Sequence, residues 1–347
     1  MSLLGKEEKK VEYIELIYDL IFVYIVGRNN AILHNFENGF VAGGTFLAYV
    51  LCTLAIIQIW NFSNFYINLY GRNSARDHIF LFINMYLLYH MADGIGINWQ
   101  NSFYRFSIAW ALILINLAVQ YMLVGVHMLV YNFTGESIAY VPILFGILAT
   151  VFSGRINDLV PVDFGHLSER AMLYVVFTFG EMIIAIASYF SGEVTFNSLY
   201  FSFMAFIIVV GLFLSYGTLY NRIIDREMNT NGTMYMVIHI FMIFALNNIS
   251  VALEFMREEE VALLPKTMFL AGSFVLYFVF LFLTGFFAKK RCSFNKKFIL
   301  IICAIGVSFI ALMLLFREMM YINIAVTAAY VFAIFLLLFR KGKLINE

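Results

Sequence analysis

The chain has 347 residues, of which 63% are hydrophobic and only 13% are charged, and its mean hydropathy is +0.86. A soluble domain is about 45–50% apolar and about 25% charged, so the composition indicates an integral membrane protein. The 22 basic and 22 acidic residues give zero net charge, which argues against a nucleic-acid-binding surface built on excess positive charge.

Cysteine and histidine patterns give no sign of a metal or a cofactor. Cys52, Cys292 and Cys303 are far apart, and the chain contains no H-E-x-x-H or C-x-x-C motif. A disulfide framework or a zinc site is therefore not expected. The chain also lacks a phosphate-binding loop, a nucleophile elbow and a nucleotide fingerprint, so we assign no catalytic residue and no cofactor.

Long apolar segments fill most of the chain. A membrane-spanning helix needs about 20 largely apolar residues, and eleven segments approach this length: 13–33, 40–62, 78–97, 104–131, 137–153, 168–190, 196–220, 233–254, 267–288, 298–316 and 319–339. The loops between them are too short for a soluble domain. The sequence therefore predicts an all-α fold, a polytopic transmembrane bundle of about 10–11 helices forming a single integral membrane domain over 1–347.

The distribution of lysine and arginine predicts the orientation, because short cytoplasmic loops carry most of these residues. If all eleven segments cross, the two sides carry 8 and 14 basic residues. If segment 137–153, which is short and contains Pro142, does not cross, the split becomes 17 to 5. The cleaner split favours ten spans, with both termini and the basic loop "FFAKKRCSFNKKF" in the cytoplasm.

A weak internal similarity suggests two five-helix repeats, 12–153 and 166–317. The second segment ends in "NFYINLYGRNSARDH" and the seventh in "LSYGTLYNRIIDREM". Glu15 precedes Tyr70 by 55 residues, and Glu169 precedes Tyr220 by 51. An odd number of spans in each half would make the halves inverted, as in many transporters, whereas the basic loops favour one common side. The sequence leaves this open, together with chance similarity.

Two acids stand inside the first apolar segment, "VEYIELIYDLIFVYIVGRNN". A charged residue near the bilayer centre costs about 2.5–3.5 kcal/mol on insertion scales. Glu15 and Asp19 are spaced i, i+4 and share one helix face, so repulsion and burial favour a proton on at least one of them. The alternatives are that Glu15 anchors the helix at the headgroups, and that Asp19, about 6 Å deeper, makes a structural hydrogen bond.

A second charged stretch is "FGHLSERAMLYVVFTFGEMIIAIAS". Glu169 and Arg170 begin this helix, and Glu181 lies near its middle, after Gly180, which allows another backbone to approach closely. We expect Glu181 to face the bundle interior and to share a polar cavity with Asp19. The alternative is that Glu181 pairs with Arg28 or another buried base.

The motifs "IELIYDLIFV" and "HLSERAMLYVVFTFGEMIIAI" resemble the E-L-x-[FY]-D-L-x-F-V opening and the later H-x-x-E-R…G-E helix of the bacterial low-temperature-requirement A (LtrA) family. The weaker "IWNFSNFYINLY" and "YMVIHIFMIFALNNISVALE" fit the order of that family. The stretch "YIVGRNNAILH" departs from it, because we expect a Gln/Ser-rich run without arginine there. The resemblance implies a multi-span protein of the bacterial inner membrane and supplies no biochemical activity.

Three functions are compatible with these features. Intramembrane acids on two helices favour a secondary transporter or an ion or proton pathway through Glu15, Asp19 and Glu181, with Glu169 and Arg170 beside it. A non-catalytic sensor or scaffold predicts instead that the acids are paired and enclose no cavity. An intramembrane enzyme for lipid-linked substrates is the least favoured, so we expect no enzyme. The expected partners are membrane lipids and an unidentified small solute or ion, with the oligomeric state open.

Overall fold

The structure is a computed structural model that describes residues 11–71, 73–96, 99–123, 162–187, 195–256, 258 and 260–343. Within these residues it contains ten α-helices, which confirms the all-α prediction. They are α1 (Tyr13–Asn30), α2 (Gly43–Tyr70), α3 (Ala75–Asp93), α4 (Trp99–Leu123), α5 (Phe164–Ala187), α6 (Phe196–Thr218), α7 (Thr233–Phe255), α8 (Leu263–Leu283), α9 (Lys296–Leu315) and α10 (Met320–Lys343).

Ten of the eleven predicted segments correspond to these helices, and segment 137–153 lies outside the described residues. The prediction that this segment does not cross, and the repeats that depend on it, therefore stay predictions. Eight helical stretches of the described chain are long and apolar enough to cross a membrane: Tyr13–His34, Gly43–Tyr70, Phe164–Ala187, Phe196–Ile223, Thr233–Phe255, Leu263–Phe287, Lys296–Leu315 and Met320–Lys343. In α4 the shorter apolar stretch is Tyr104–Gln120, and α3 begins with the charged residues Arg76 and Asp77.

A small hairpin precedes α2, where the sequence analysis placed helix from residue 40. Strands β1 (Phe36–Glu37) and β2 (Phe40–Val41) pair antiparallel. Asn38 and Gly39 form the turn with φ of 52° and 83°, because Asn-Gly tolerates the left-handed backbone that a two-residue hairpin needs. Helix α2 then continues to Tyr70, eight residues beyond the predicted end at 62.

Local sequence signals set several helix starts. Ser74 accepts a hydrogen bond from the backbone N–H of Asp77, and Asp77 reciprocates, which forms a capping box at α3. Thr195 and Ser198 do the same at α6. These caps satisfy backbone N–H groups that have no partner within the first turn of a helix.

The chain forms two compact units. Among the described residues, the first contains those within 1–35, 42–174 and 226–237, and the second contains those within 36–41, 175–225 and 238–347. In the first unit α1 packs on α2 and α3, and α4 packs on α3 and α2. In the second unit α10 packs on α6 and α9, and α8 packs on α9. Helices α5 and α7 each contribute residues to both units.

Candidate functional site

In the first unit, the carboxylates of α1 meet the guanidinium of Arg170 on α5. Arg170 Nη1 donates to Glu15 Oε2 at 2.5 Å, and Nη2 donates to Asp19 Oδ1 at 2.8 Å. The three residues are 1%, 3% and 0% exposed respectively. The fork of the guanidinium suits two acceptors at once, so the i, i+4 spacing on α1 presents both carboxylates to one arginine.

The two oxygens of Asp19 have different surroundings. Oδ1 accepts from Arg170 and also from the indole Nε1 of Trp60 on α2, at 3.0 Å. Oδ2 is buried and has no hydrogen-bond partner among the described residues. The rings of Trp60 and Tyr174 lie 4.3 Å apart between centroids, and Tyr174 contacts Phe22. Asp19 therefore lies beside the packed rings of Trp60 and Tyr174, and only one of its oxygens accepts hydrogen bonds from the described residues.

Glu15 lies next to a histidine at the start of α5. The backbone N–H of His166 donates to Asp163 Oδ1 at 3.0 Å, so Asp163 caps this helix. The imidazole Nε2 of His166 is 3.6 Å from Glu15 Oε2, and its Nδ1 is 3.0 Å from the amide nitrogen of Asn68 on α2. The Asp163 cap therefore fixes the backbone position of His166 at the start of α5. One ring nitrogen, Nε2, faces Glu15, and the other, Nδ1, contacts Asn68 on α2.

The charges of this cluster cancel only if His166 is protonated. Glu15 and Asp19 contribute two negative charges, Arg170 contributes one positive charge, and His166 contributes a second only if it is protonated. With a neutral imidazole the buried cluster has a net charge of −1. Burial of an uncompensated charge costs several kcal/mol, so the cluster favours the uptake of one positive charge.

Helix α2 brings further polar groups to the same side. Tyr18 on α1 contacts Ser63 Oγ through its hydroxyl at 2.7 Å. Asn61 and Asn64 are each 1% exposed, and both amide atoms of each lack a hydrogen-bond partner among the described residues. Because Asn64 follows Trp60 by four residues, it shares the helix face that contacts Asp19. Buried amides of this kind are potential partners for water or for an ion.

The remaining predicted site residues lie apart from this cluster. Glu169 is half-buried and, like Arg28, makes no ion pair within the described part of the chain; Arg28 is exposed near the end of α1. The pairing of Glu181 with Arg28, which the sequence left open, is therefore not seen among the described residues, and Arg170 pairs with Glu15 and Asp19. Glu181 lies in the second unit, is half-buried, and is subject to the negative charge of Glu254. The shared cavity of Asp19 and Glu181 stays a prediction.

The close backbone approach that Gly180 allows stays a prediction. A Cβ atom built at Gly180 would meet no atom of the described residues within 4 Å. No described residue therefore packs closely against this position.

No group of three or more His, Cys, Asp or Glu side chains within the described ranges is arranged to hold a metal ion. Asp93 at the end of α3 accepts a hydrogen bond from Arg105 at 3.0 Å on the surface. Cys292 is a buried free thiol in the basic loop after α8. Burial raises the pKa of this thiol, so it stays protonated at neutral pH and is a poor nucleophile.

The second unit contains an apolar groove of about 890 Å³ between α8 and α9. Phe278, Phe282, Phe294 and Tyr330 are among its lining residues, and Lys290 and Ser293 are its few polar ones. A groove of this composition suits hydrocarbon chains and lacks paired catalytic groups. Within the described residues it therefore adds nothing to the ion cluster of the first unit.

Sequence reasoning missed the contribution of α2. Gln58, Asn61, Asn64 and Asn68 recur at intervals of three or four residues in "QIWNFSNFYIN" and are buried. This is the period of one helix face, so the polar stripe was visible in the sequence. The wealth of aromatic residues in the same stretch masked it. The indole N–H of Trp60 adds a hydrogen-bond donor to this polar stripe, and the buried ring of Trp60 packs in the apolar core.

A scan against family models matches residues 10–128 and 118–335 to the model described as "Bacterial low temperature requirement A protein (LtrA)". The two matched regions together include most of the chain and all of the cluster residues. No curated protein matches the chain. No solved structure matches it either.

Proposed function

Because the chain belongs to the bacterial low-temperature-requirement A family and is a multi-pass membrane protein, we propose that it works as a secondary transporter or as a proton or ion pathway. In this proposal Asp19 and Glu181 carry a proton or a cation, and Glu15 relays it toward the cytoplasmic surface. Arg170 holds the two α1 carboxylates in register, and Glu169 lies beside it at the start of α5. The solute that is coupled to the movement is a small molecule or an ion.

The observation that carries the proposal is the buried cluster of two carboxylates and one guanidinium. Within helices apolar enough to cross a membrane, Glu15, Asp19 and Arg170 are each at most 3% exposed, and their formal charges sum to −1. Ionisable residues inside membrane segments are expensive and commonly mark ion pathways. A buried ion pair contributes little net stability, so stability alone is a weak reason for the chain to keep three such residues.

One observation favours a second candidate function, a non-catalytic sensor or scaffold. Both α1 carboxylates are paired with Arg170, as a purely structural cluster requires. The two candidates differ in what they require of Asp19. A scaffold needs its negative charge at all times, whereas a pathway needs the carboxyl group to gain and lose a proton or a cation.

The test is flux through the purified protein in liposomes with an imposed pH or cation gradient. We expect Asp19→Asn and Glu181→Gln each to abolish flux, because both changes preserve side-chain shape and remove titration. Asp93→Asn is the matched control, because Asp93 is an exposed acid paired with Arg105. Undiminished flux in both test variants would show that the acids are structural, and an inactive wild type across a broad panel of solutes would favour the scaffold.

For orientation we propose the bacterial plasma membrane, with both termini in the cytoplasm. Glu37 in the hairpin after α1 and Ser293 in the basic loop after α8 are both exposed. A membrane-impermeant thiol reagent added outside the cell should label Glu37→Cys and leave Ser293→Cys unlabelled. Strong external labelling at position 293 would contradict the proposed topology.

A further inference from the structure

The amide of Asn68 has only one orientation that satisfies the backbone of Asp163. The backbone N–H of Asp163 donates to Asn68 Oδ1 at 3.3 Å, and Asn68 Nδ2 donates to the carbonyl oxygen of Asp163 at 3.0 Å. A backbone N–H can only donate and a backbone carbonyl can only accept. The side chain of Asn68 cannot rotate by 180° without losing both bonds.

This orientation determines which nitrogen of His166 carries the proton. The same Asn68 Nδ2 lies 3.0 Å from His166 Nδ1. An amide NH₂ group has only donors, so Nδ1 must be the acceptor. The ring proton then lies on Nε2, which is 3.6 Å from Glu15 Oε2. A proton on Nδ1 would place two donors face to face and would require Asn68 to leave Asp163.

We infer that Asn68 fixes His166 as a neutral Nε2–H group facing Glu15, so that Asp19 Oδ2 is the atom that binds the proton moved through this site. The inference rests on the proposed function and names the proton as the carried ion. His166 and Asn68 are positioning residues, because they act through Glu15. With His166 neutral, Glu15 and Asp19 outweigh Arg170 by one charge, and one proton neutralises the cluster.

Asp19 is the better proton acceptor of the two carboxylates. Glu15 Oε2 receives the Arg170 guanidinium and faces the imidazole N–H, which both favour its ionised form. Asp19 Oδ1 already accepts from Arg170 and Trp60, whereas Oδ2 has no partner in the described chain. A proton on Oδ2 therefore leaves every observed hydrogen bond intact.

The groups that face Asp19 come from three helices. Glu15 and Tyr18 lie on α1 itself, Trp60 lies on α2, and Arg170 and Tyr174 lie on α5. Arg170 is the one cation among them in the described residues.

An independent observation on α2 also points to this place. Trp60 contacts Asp19 and Ser63 contacts Tyr18, so α2 runs antiparallel to α1 here. Asn64 lies one turn beyond Trp60 on the same face, toward Glu15. Its amide is buried and has no partner among the described residues. It supplies a polar group through which water can bring the proton.

The first experiment tests the proton on Asp19 by infrared spectroscopy, without any transport assay. The whole protein in detergent is titrated from pH 8 to pH 5, and the carbonyl stretch of a protonated carboxylic acid is followed. We expect a band that ¹³C-aspartate shifts, that ¹³C-glutamate leaves in place, and that Asp19→Asn removes. The matched control Asp93→Asn should retain the band. A band that only labelled glutamate shifts, or none in the wild type, would overturn the inference.

The second experiment tests the tautomer by ¹⁵N nuclear magnetic resonance of labelled histidine at pH 7, with His166→Gln used to assign the signals. We expect one bare and one protonated nitrogen in His166, with the proton on Nε2. In Asn68→Leu the Nδ1 signal should move, while that of His239, which contacts Tyr216 at 3.1 Å, should not. An imidazolium, or a proton on Nδ1, in the wild type would overturn the inference.

The two proposals fail separately. The expected band and tautomer in a protein without flux would leave this inference standing and would contradict the transport function. Flux in a protein whose His166 is doubly protonated would support transport and would contradict the inference.

Discussion

The two units hold their helices together by different means. In the first, α1, α2 and α5 meet around Arg170, Glu15 and Asp19, all buried. In the second, α6 and α10 meet where a Cβ atom at Gly211 would lie 2.6 Å from Val331 Cγ1. Small residues that permit close approach are the usual means of joining membrane helices.

The difference shows that this chain does not need charges to pack helices. The second unit is joined by glycine contact and by rings such as Phe309 and Tyr330, which stack with centroids 4.1 Å apart. An apolar contact of this kind carries no desolvation cost, whereas each buried ion costs several kcal/mol before pairing. This comparison therefore supports the proposal that the cluster of the first unit binds charge.

The largest expected effect comes from removing the shared cation. Arg170→Met leaves two buried carboxylates without their partner, and we expect a loss of about 3–5 kcal/mol in the free energy of unfolding in detergent. Arg105→Met is the matched control, because the Arg105 side chain is 71% exposed, against 1% for Arg170. An exposed pair contributes about 0–1 kcal/mol. Equal losses of unfolding free energy in the two variants would show that the buried pair contributes no more to stability than the surface pair.

The next effect concerns the indole that holds Asp19. Trp60→Phe removes the N–H that donates to Oδ1, and we expect a loss of about 1.5–3 kcal/mol, because the acceptor is charged. Trp110 provides the control: it is 5% exposed, and its Nε1 has no partner among the described residues. Chemical unfolding monitored by circular dichroism should therefore show a smaller loss, or a gain, for Trp110→Phe. The opposite ranking would indicate that ring packing, and not the hydrogen bond, determines the role of Trp60.

The stability of the second unit should depend on the size of the residue at position 211, where α6 contacts α10. Gly211→Ala places a methyl group against Val331, and overpacking costs about 1–3 kcal/mol. A Cβ atom at Gly217, near the end of the same helix, would meet no described atom within 4 Å. Gly217→Ala should therefore be neutral or stabilising by up to about 1 kcal/mol from helix propensity. Thermal unfolding of both variants measures this difference, and a harmless Gly211→Ala would disprove the close contact.

The smallest expected effect is at Glu181. Glu181→Gln should change the free energy of unfolding by no more than about 0.5 kcal/mol, because Glu181 is half-buried and has no ion pair among the described residues. Asp19→Asn should cost more, because Arg170 and Trp60 lose a charged acceptor. Measuring both the free energy of unfolding and the flux of each variant separates a structural role of the carboxyl group from a role in transport. A large loss at Glu181 would reveal a structural partner for it.

Periodicity in the sequence located most of the fold. The ten described helices follow segments that were predicted from apolar length, and the i, i+4 spacing of Glu15 and Asp19 placed both on one face. The start of α2 was missed because "ENGF" forms a hairpin, although its Asn-Gly pair is a strong turn signal. The polar stripe of α2 was also present in the sequence and was hidden among aromatic residues.

The partners of the acids were beyond what the sequence could predict. Arg170 is 155 residues from Glu15 and 151 from Asp19. Spacing along one helix says nothing about which neighbour lies opposite it, so the sequence offered no partner for either carboxylate. The tautomer of His166 likewise depends on Asn68, which is 98 residues away.

The sequence alone therefore determined that the chain is a bundle of apolar helices with acids buried in it, because the length and period of apolar runs are local properties of the chain. The tertiary structure decided that Arg170 joins both carboxylates, that Trp60 holds one oxygen of Asp19, and that Asn68 orients His166. These are contacts between helices distant in sequence. Their geometry exists only once burial of the apolar faces has fixed how the helices pack.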